Sequence, residues 1–160
     1  MVIITRLEES QLREASALER LCFSLPWSEE MFRGELSSPL SHYLAAVDES
    51  GRLLGYAGMQ AVMDEGYISN IAVDPDSRRL GIAGALLSAL IDFGRAGGLS
   101  FLTLEVRENN GPAIALYSKY GFKVVGRRKN YYKNPREDAL LMTHKYKHLE
   151  RNDSFDNTVG

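Results

Sequence analysis

The chain has 160 residues, enough for one domain with a substantial core, and its 44% apolar and 25% charged residues are typical of a soluble globular protein. Its 19 basic and 21 acidic residues give a formal net charge of −2, which argues against a general nucleic-acid binder. No apolar stretch approaches the roughly 20 residues of a membrane span, and the N-terminus lacks the pattern of a signal peptide. Cys22 is the only cysteine, which excludes an internal disulfide. We therefore expect a cytoplasmic protein with neither nucleic acid nor membrane as a partner, and we interpret Cys22 as a core residue.

Apolar periodicity predicts the elements of the first half of the chain. In chain order they are a strand at 3–7, a helix at 10–23, a short helix that opens at Ser28 and stops by Pro39, and strands at 42–47, 52–63 and 67–73. Ser10 and Ser28 precede the two helices as capping residues. The turn at 48–51 (DESG) joins its two flanking strands as a hairpin.

The second half continues with alternating helices and strands. In chain order they are a helix that ends at Gly97–Gly98, a strand at 101–106, a helix from Asn110 to about Tyr120, a strand at 122–128, a loop at 129–138 and a last strand at 139–146. The hairpins and the two strand–helix–strand units predict one α/β (α+β) domain over 2–146, with a mixed sheet and helices on both faces. The polar tail, residues 147–160, is expected to be disordered.

The strand at 67–73 leads into the third helix through a junction that carries Arg78, Arg79 and Gly81. The amides of a first helical turn have no partner inside the helix and carry partial positive charge, so they suit an anion such as phosphate. Glycine at 81 allows a ligand to approach the backbone closely. The G-x-G-x-x-G of a dinucleotide fold and the Gly-Lys-Ser/Thr of a Walker A loop are both absent. The alternative is an exposed cationic first turn, which the helix dipole disfavours.

Two further residues carry chemistry only in combination. Glu105 is a carboxylate in an otherwise apolar strand, on the same face as Thr103, and it either faces solvent or serves a site. Tyr117 lies on the following helix, where a tyrosine by default contributes packing. His144 and His148 have i, i+4 spacing, but His144 falls in a predicted strand and no acidic partner completes a site, so we expect no metal.

Several segments together resemble the GNAT N-acetyltransferases. They are Arg78-x-x-Gly81-x-Ala83 and the run NGPAIALYSKYGF (110–122), with FSLPWSEEMF (23–32), NIAVDP (70–75), LEVRENN (104–110) and RRKNYY (127–132) followed by REDALLM (136–142). The resemblance covers roughly residues 2–146 and is closest to bacterial enzymes that acetylate the N-terminal alanine of the eighteenth protein of the small ribosomal subunit. It implies the GNAT fold, a mixed, mostly antiparallel central sheet with helices on both faces and a splayed central strand pair.

The resemblance implies acetyl-CoA as co-substrate, with its pyrophosphate on the amides of the Arg79–Gly84 turn and its pantetheine arm along the preceding strand. The cofactor-binding residues so implied are Ile71, Ala72, Val73, Arg78, Arg79, Leu80, Gly81, Ile82, Ala83, Gly84 and Asn110. By the same resemblance Glu105 is the general base, directly or through water, and Tyr117 is the general acid that protonates the departing thiolate. An unperturbed tyrosine pKa of about 10 lies near that of a thiol, about 8.5. Gly84 stands where arginine is frequent in the family, which removes one possible phosphate contact.

The acceptor groove implied by the resemblance lies between Trp27 and the RRKNYY segment, where Tyr131 and Tyr132 either grip a peptide backbone or simply pack. The implied substrate is the N-terminus of a ribosomal protein, and we expect a monomer. Carboxylates at Asp64 and Glu65 are expected to add negative charge that favours a cationic peptide start.

Three functions remain open on the sequence. The first is an acetyl-CoA-dependent N-alpha-acetyltransferase that acts on a protein N-terminus by direct attack of the amine on the thioester. The second is a GNAT enzyme for a lysine side chain or a small amine, and the third is an acyl-CoA-binding module without turnover. Glu105 and Tyr117 weigh against the third, and the PWS and RRKNYY segments favour the first over the second by resemblance.

Overall fold

A computed structural model describes residues 1–146; the predicted disorder of the tail and the position of His148 lie outside the described residues. The strands are β1 (Ile3–Arg6), β2 (Ser41–Val47), β3 (Leu53–Val62), β4 (Glu65–Val73), β5 (Phe101–Arg107), β6 (Lys123–Lys133) and β7 (Arg136–Lys145). The helices are α1 (Leu12–Cys22), α2 (Glu29–Leu36), α3 (Ile82–Ala96) and α4 (Gly111–Lys119), with single 3-10 turns at Glu9–Gln11 and Pro75–Ser77.

The seven strands form one sheet in the order β1-β2-β3-β4-β5-β7-β6. Every neighbouring pair is antiparallel except β4 and β5, which run parallel. The parallel pairing begins at Glu65 and Phe101 and stops at Tyr67 and Thr103, so the two strands separate for the rest of their length. The predicted mixed, mostly antiparallel sheet with a splayed central pair is therefore confirmed.

The helices cover both faces of this sheet, as predicted. On one face, α1 and α2 pack against β2 and β3 around Phe32 and Tyr56, which are both fully buried. On the other face, α3 contributes a continuous apolar stripe and α4 packs beside it. The buried side chains of the α3 stripe are Ile82, Leu86, Leu87, Leu90 and Ile91. Burial of each such side chain stabilises the fold by about 1.5–3 kcal/mol, so these contacts fix α3 and its N-terminus against the sheet.

The expected loop at 129–138 is wrong, because β6 continues to Lys133 and β7 begins at Arg136. Only Asn134 and Pro135 lie between the two strands. The segment RRKNYYK lies at the edge of the sheet and is largely exposed on both faces, so it carries no apolar alternation that could predict a strand. The strand β4 also starts earlier than predicted, at Glu65 instead of after the turn.

Gly58 in β3 has no room for a side chain. An added Cβ would lie 2.0–2.4 Å from the ring of Tyr43 on β2, far inside contact distance. We predict that Gly58→Ala lowers the free energy of unfolding by about 1–3 kcal/mol, the usual cost of overpacking. Gly34→Ala is the matched control, because its added Cβ meets nothing within 4 Å and alanine favours the α2 helix. Denaturant unfolding measures both variants, and equal stabilities of Gly58→Ala and wild type would contradict the packing.

Candidate active site

The separation of β4 from β5 opens a fork in the middle of the sheet. From Ile68 to Val73, β4 pairs with β3 alone, and its opposite edge has no strand partner. Such an edge presents unpaired backbone N–H and C=O groups. The side chain of Ala72 is buried in the core beneath α1, so this residue can offer a ligand only its backbone.

The N-terminus of α3 lies just beyond the end of β4 and has the geometry expected of an anion site. Gly81 is the N-cap in a left-handed conformation (φ 73°), and no side chain caps the helix. Arg79 is also left-handed (φ 73°), and the whole of 78–81 is exposed. The first amides of α3 are therefore free of side-chain caps and carry the positive end of the helix dipole. These features fit a pyrophosphate held by backbone amides beside two arginines.

The sequence predicts cofactor binding for Ile82, Gly84 and Leu80 alike, but the structure gives each of them a different environment. The side chain of Ile82 is buried in the core, so only its amide can face a ligand. Gly84 is buried, and an added Cβ would lie 2.7 Å from the Tyr120 hydroxyl, so this glycine lets α3 approach the end of α4. Leu80 is 65% exposed at the tip of the turn, where it can contact a bound ligand.

Glu105 lies on β5 just past the point where the strands separate. Its side chain is 6% exposed, and both of its oxygens have partners. Oε2 accepts a hydrogen bond from the Tyr67 hydroxyl, and Oε1 accepts one from Arg128 Nε at 3.0 Å. Glu105 is thus a shielded carboxylate, and the solvent-facing alternative is wrong.

Tyr131 and Tyr132 of β6 lie beside this carboxylate. Their rings are 5.0 Å apart edge to face, and the Tyr132 ring lies under the Arg107 guanidinium at 4.3 Å. Burial, the neighbouring Tyr131 and the negative charge of Glu105 raise the pKa of Tyr132 to about 12. Burial and Glu105 also raise the pKa of Tyr131.

Tyr117 lies on α4 and comes close to Tyr132 of β6. Its ring packs on Phe122 at 5.9 Å between centroids, and Tyr132 is near enough for the two hydroxyls to interact electrostatically. Burial raises the pKa of Tyr117 to about 12, well above the value of about 10 for an unperturbed tyrosine. Within residues 1–146 the Tyr117 hydroxyl has no hydrogen-bond partner. Every buried polar side-chain atom in that range does have a partner, so the Tyr117 hydroxyl is in contact with solvent. It is a protonated donor that is free to bind a ligand.

The α1–α2 loop contacts the β6–β7 hairpin, whose residues Arg128 and Tyr131 lie beside Glu105. Ser24 Oγ donates a hydrogen bond to the carbonyl of Asn134 at 2.6 Å, which joins the two segments. Phe23 and Leu25 are 40% and 69% exposed on this loop. Trp27 is half-buried and packs edge to face on Phe32 at 5.4 Å, so most of its ring supports the loop.

Glu19 anchors the α1–α2 loop, and the sequence did not predict this role. Its buried carboxylate accepts hydrogen bonds from the Trp27 amide at 2.9 Å, from the Tyr56 hydroxyl and from Asn70 at 3.4 Å. Glu19 thus ties the loop to β3 and to β4 near the fork. Cys22, one turn further along α1, is partly buried and donates to the carbonyl of Val73 at 3.4 Å. Burial is the main cause of its raised pKa, which keeps the thiol protonated.

Asp64 and Glu65 lie away from Glu105, and Asn110 caps a helix. Asp64 accepts a hydrogen bond from Ser100, and Glu65 pairs with Phe101, four residues and about 13 Å along β5 from Glu105. The expectation that these two carboxylates join Glu105 is therefore wrong. Asn110 caps α4 by accepting from the Ala113 amide at 3.2 Å, which leaves its Nδ2 for a ligand.

Within residues 1–146 there is no group of three or more His, Cys, Asp or Glu side chains that could hold a metal ion. His144 lies in β7, where Nδ1 contacts the Tyr120 carbonyl at 2.8 Å. None of the four helices in this part of the chain is long and apolar enough to cross a membrane.

Residues 12–122 match the model of the acetyltransferase (GNAT) family. The chain belongs to this family. GNAT proteins are acyltransferases that use acetyl-CoA.

Similar proteins narrow the likeness within the GNAT family. The [ribosomal protein bS18]-alanine N-acetyltransferase of Escherichia coli K12 is 39% identical over 144 residues, 89% of this chain and 96% of that protein. The N-alpha-acetyltransferase RimI of Mycobacterium tuberculosis is 37% identical over 147 residues, 88% of this chain and 90% of that protein. The crystal structure of the Escherichia coli ribosomal-protein-S18-alanine N-acetyltransferase has a TM-score of 0.84, at 38% identity, over 91% of this chain and 94% of its own.

The more distant Arabidopsis thaliana NAA60, solved in complex with acetyl-CoA, shares the fold. Its TM-score is 0.84 at 22% identity, over 91% of this chain and all of that one. Together these likenesses make this chain an N-acetyltransferase of the GNAT family and remove the alternative of an acyl-CoA-binding module without turnover.

Proposed function

We propose that this chain is a cytoplasmic, acetyl-CoA-dependent N-alpha-acetyltransferase that modifies the N-terminal alanine of ribosomal protein bS18. The observation that carries the proposal is the 39% identity to enzymes named for this reaction. Glu105 and Tyr117, which both lie close enough to Tyr132 to raise its pKa, support it. A base and a donor on either side of one opening are what direct amine attack on a thioester needs.

Acetyl-CoA, the acetyl donor, would be bound by backbone groups more than by side chains. The amides of the Arg79–Gly84 turn would hold the pyrophosphate, with Arg78 and Arg79 adding charge. The free edge of β4 at Ile71 and Val73 would bind the pantetheine arm, and Asn110 Nδ2 would lie near it. The Val73 amide would stabilise charge that develops on the thioester oxygen. Acetyl-CoA, when bound, supplies an activated acetyl group.

The acceptor side moves the protons. The α-ammonium of the peptide gives a proton to Glu105, and its nitrogen then forms the bond to the acetyl carbon as the carbon–sulphur bond breaks. Tyr67 holds Oε2, so Oε1, which pairs with Arg128 in this structure, would accept the proton directly or through water. Tyr117, which its pKa of about 12 keeps protonated at neutral pH, donates its proton to the departing sulphur. The acetylated nitrogen releases its second proton to solvent, and solvent returns a proton to Tyr117. The exposed side chains of Phe23 and Leu25 on the α1–α2 loop and of Tyr131 on β6 would hold the peptide.

An α-amine suits this single carboxylate better than a lysine does. An α-amino group has a pKa of about 7.7–8.0 and lysine about 10.4, so near neutral pH the attacking neutral form of lysine is some two orders of magnitude scarcer. Asp64 and Glu65 add no second base at the fork, because they lie at the opposite end of the paired strands.

A cellular experiment tests the proposed substrate. Mass spectrometry of N-terminal peptides compares cells that have this protein with cells that lack its gene. We expect acetylated bS18 in the first and free N-terminal alanine in the second, restored by the wild-type gene and not by a Glu105→Gln gene. Unchanged acetylation of bS18 in the deletion strain would reject bS18 as the substrate.

Gly81→Val should weaken coenzyme A binding by tenfold or more, because a β-branched residue is strained at φ 73° and its side chain blocks close approach to the α3 amides. Gly98→Val is the matched control. Gly98 has a similar φ of 75° and an equally open environment, but it lies at the other end of α3. Calorimetric titration with coenzyme A should give a normal Kd for Gly98→Val, and a normal Kd for Gly81→Val would remove the phosphate site.

A further inference from the structure

Arg128 of β6 is the exposed partner of the shielded Glu105 carboxylate. It is paired with Glu105 Oε1, and its side chain is 55% exposed, whereas that of Glu105 is 6% exposed. The other carboxylate oxygen is held from inside by Tyr67 of β4. A peptide ammonium that approaches from solvent therefore meets the Arg128 guanidinium before it meets the carboxylate.

An irregularity in β6 aims Arg128 at this carboxylate. Arg128 pairs with Ala139 of β7, and the next pairing is between Tyr132 and Glu137, so β6 has two extra residues at this point. Bulges of this kind redirect side chains and occur next to active sites. In a regular strand, residues 128 and 131 would point to opposite faces, whereas here both Arg128 and Tyr131 interact with Glu105.

The neighbouring arginines, Arg107 and Arg127, form ion pairs with carboxylates other than Glu105. Arg107 donates to the carbonyls of 134 and 135, pairs with Glu137 at 3.3 Å and stacks on Tyr132. Arg127 pairs with Glu108 at 2.6 Å and with Asp138 at 3.5 Å. Among residues 1–146, Arg128 is thus the one cation in an ion pair with Glu105.

We propose that Arg128 is an exchangeable counter-ion of Glu105, a positioning residue that the peptide α-ammonium displaces on binding. The inference rests on the proposed function, because it requires a cationic amine as acceptor. A nearly buried carboxylate is costly without a partner, and Arg128 supplies one in the free enzyme. The guanidinium and the ammonium carry the same charge, so the exchange leaves Glu105 paired throughout. Arginine does not give up its proton, whereas the ammonium can, so only the exchanged state can react.

Peptide binding to the enzyme–coenzyme A complex tests the exchange, with calorimetric Kd values for a peptide that starts with a free alanine. Removal of the competing cation in Arg128→Gln should tighten binding about fivefold, the factor that corresponds to ~1 kcal/mol for a partly exposed ion pair. Arg128→Lys, which keeps the charge, should bind like wild type. Arg127→Gln is the matched control, because it removes an adjacent ion-paired arginine of similar exposure, and its Kd should be unchanged.

The same peptide with an acetylated N-terminus has no ammonium, so Arg128→Gln should not bind it more tightly. Unchanged or weaker binding of the free-amine peptide by Arg128→Gln, or an equal gain for the acetylated peptide, would overturn the exchange.

Turnover measurements distinguish failure of the exchange from failure of the proposed function. A wild-type enzyme that acetylates the peptide while Arg128→Gln gains no affinity refutes only the exchange. A wild-type enzyme that binds the peptide without acetylating it refutes the function, and the Kd comparison still decides the exchange.

Discussion

Glu105→Gln is expected to lower kcat/KM for an N-terminal peptide by about 10²- to 10⁴-fold, the usual range for loss of a general base. Glutamine has the same shape and can still accept the hydrogen bond from Tyr67, so the fold should persist. The variant depends on amine that is already neutral, a fraction that falls below the α-amine pKa of about 7.7–8.0. The ratio of wild-type to variant rate should therefore widen as pH falls from about 8 to 6.

Glu108→Gln is the control for this change. It also removes a carboxylate from an ion pair with an arginine of β6, Arg127, but it lies outside the fork. Initial rates of both variants across the pH range measure the effect. A Glu105→Gln enzyme with the wild-type rate at every pH would exclude Glu105 as the base.

Tyr117→Phe should lower kcat by roughly 10- to 1000-fold without weakening coenzyme A binding, because a proton donor to the departing sulphur is lost while the ring remains. The hydroxyl makes no hydrogen bond within the described residues, so its removal leaves no partner unsatisfied and should cost little stability. Since the pKa of Tyr117 is about 12, this residue stays protonated below about pH 11 and should give no alkaline limb at lower pH.

Tyr120→Phe provides the comparison, since it deletes the same atom about one helical turn further along the chain, where the hydroxyl lies against Gly84. Single-turnover rates and coenzyme A titrations separate chemistry from binding. A Tyr117→Phe enzyme with unchanged turnover would make this tyrosine a packing residue only.

The parts of the site that are regular in sequence could be predicted. The apolar run into Arg78, Arg79 and Gly81 marks a strand, a turn and a helix start, and each of these is present. The fork followed from resemblance, because no local pattern tells where β4 stops pairing with β5. Glu105 could be placed on a face of its strand, but its shielding depends on Tyr67, which is 38 residues distant in the chain.

The hairpin of β6 and β7 shows why the rest could not be predicted. Exposed edge strands have few apolar residues, so RRKNYYK gives no period-2 signal. The two extra residues between Arg128 and Tyr132 exist only relative to the register of β7. Their consequence, a guanidinium against Glu105, therefore has no signature in the sequence of β6 alone. Burial likewise raises the pKa of Tyr117 through packing of separate segments.

Acceptor choice tests the central claim most directly. The purified enzyme and acetyl-CoA are offered two peptides, one with a free N-terminal alanine followed by basic residues, the other identical but blocked at its N-terminus and containing a free lysine. Product mass over time gives both rates under one set of conditions. The account predicts acetylation at the α-amine, faster by on the order of 10²-fold, from the difference between the two amine pKa values. Faster acetylation of the blocked lysine peptide would contradict it and assign the enzyme to side-chain amines.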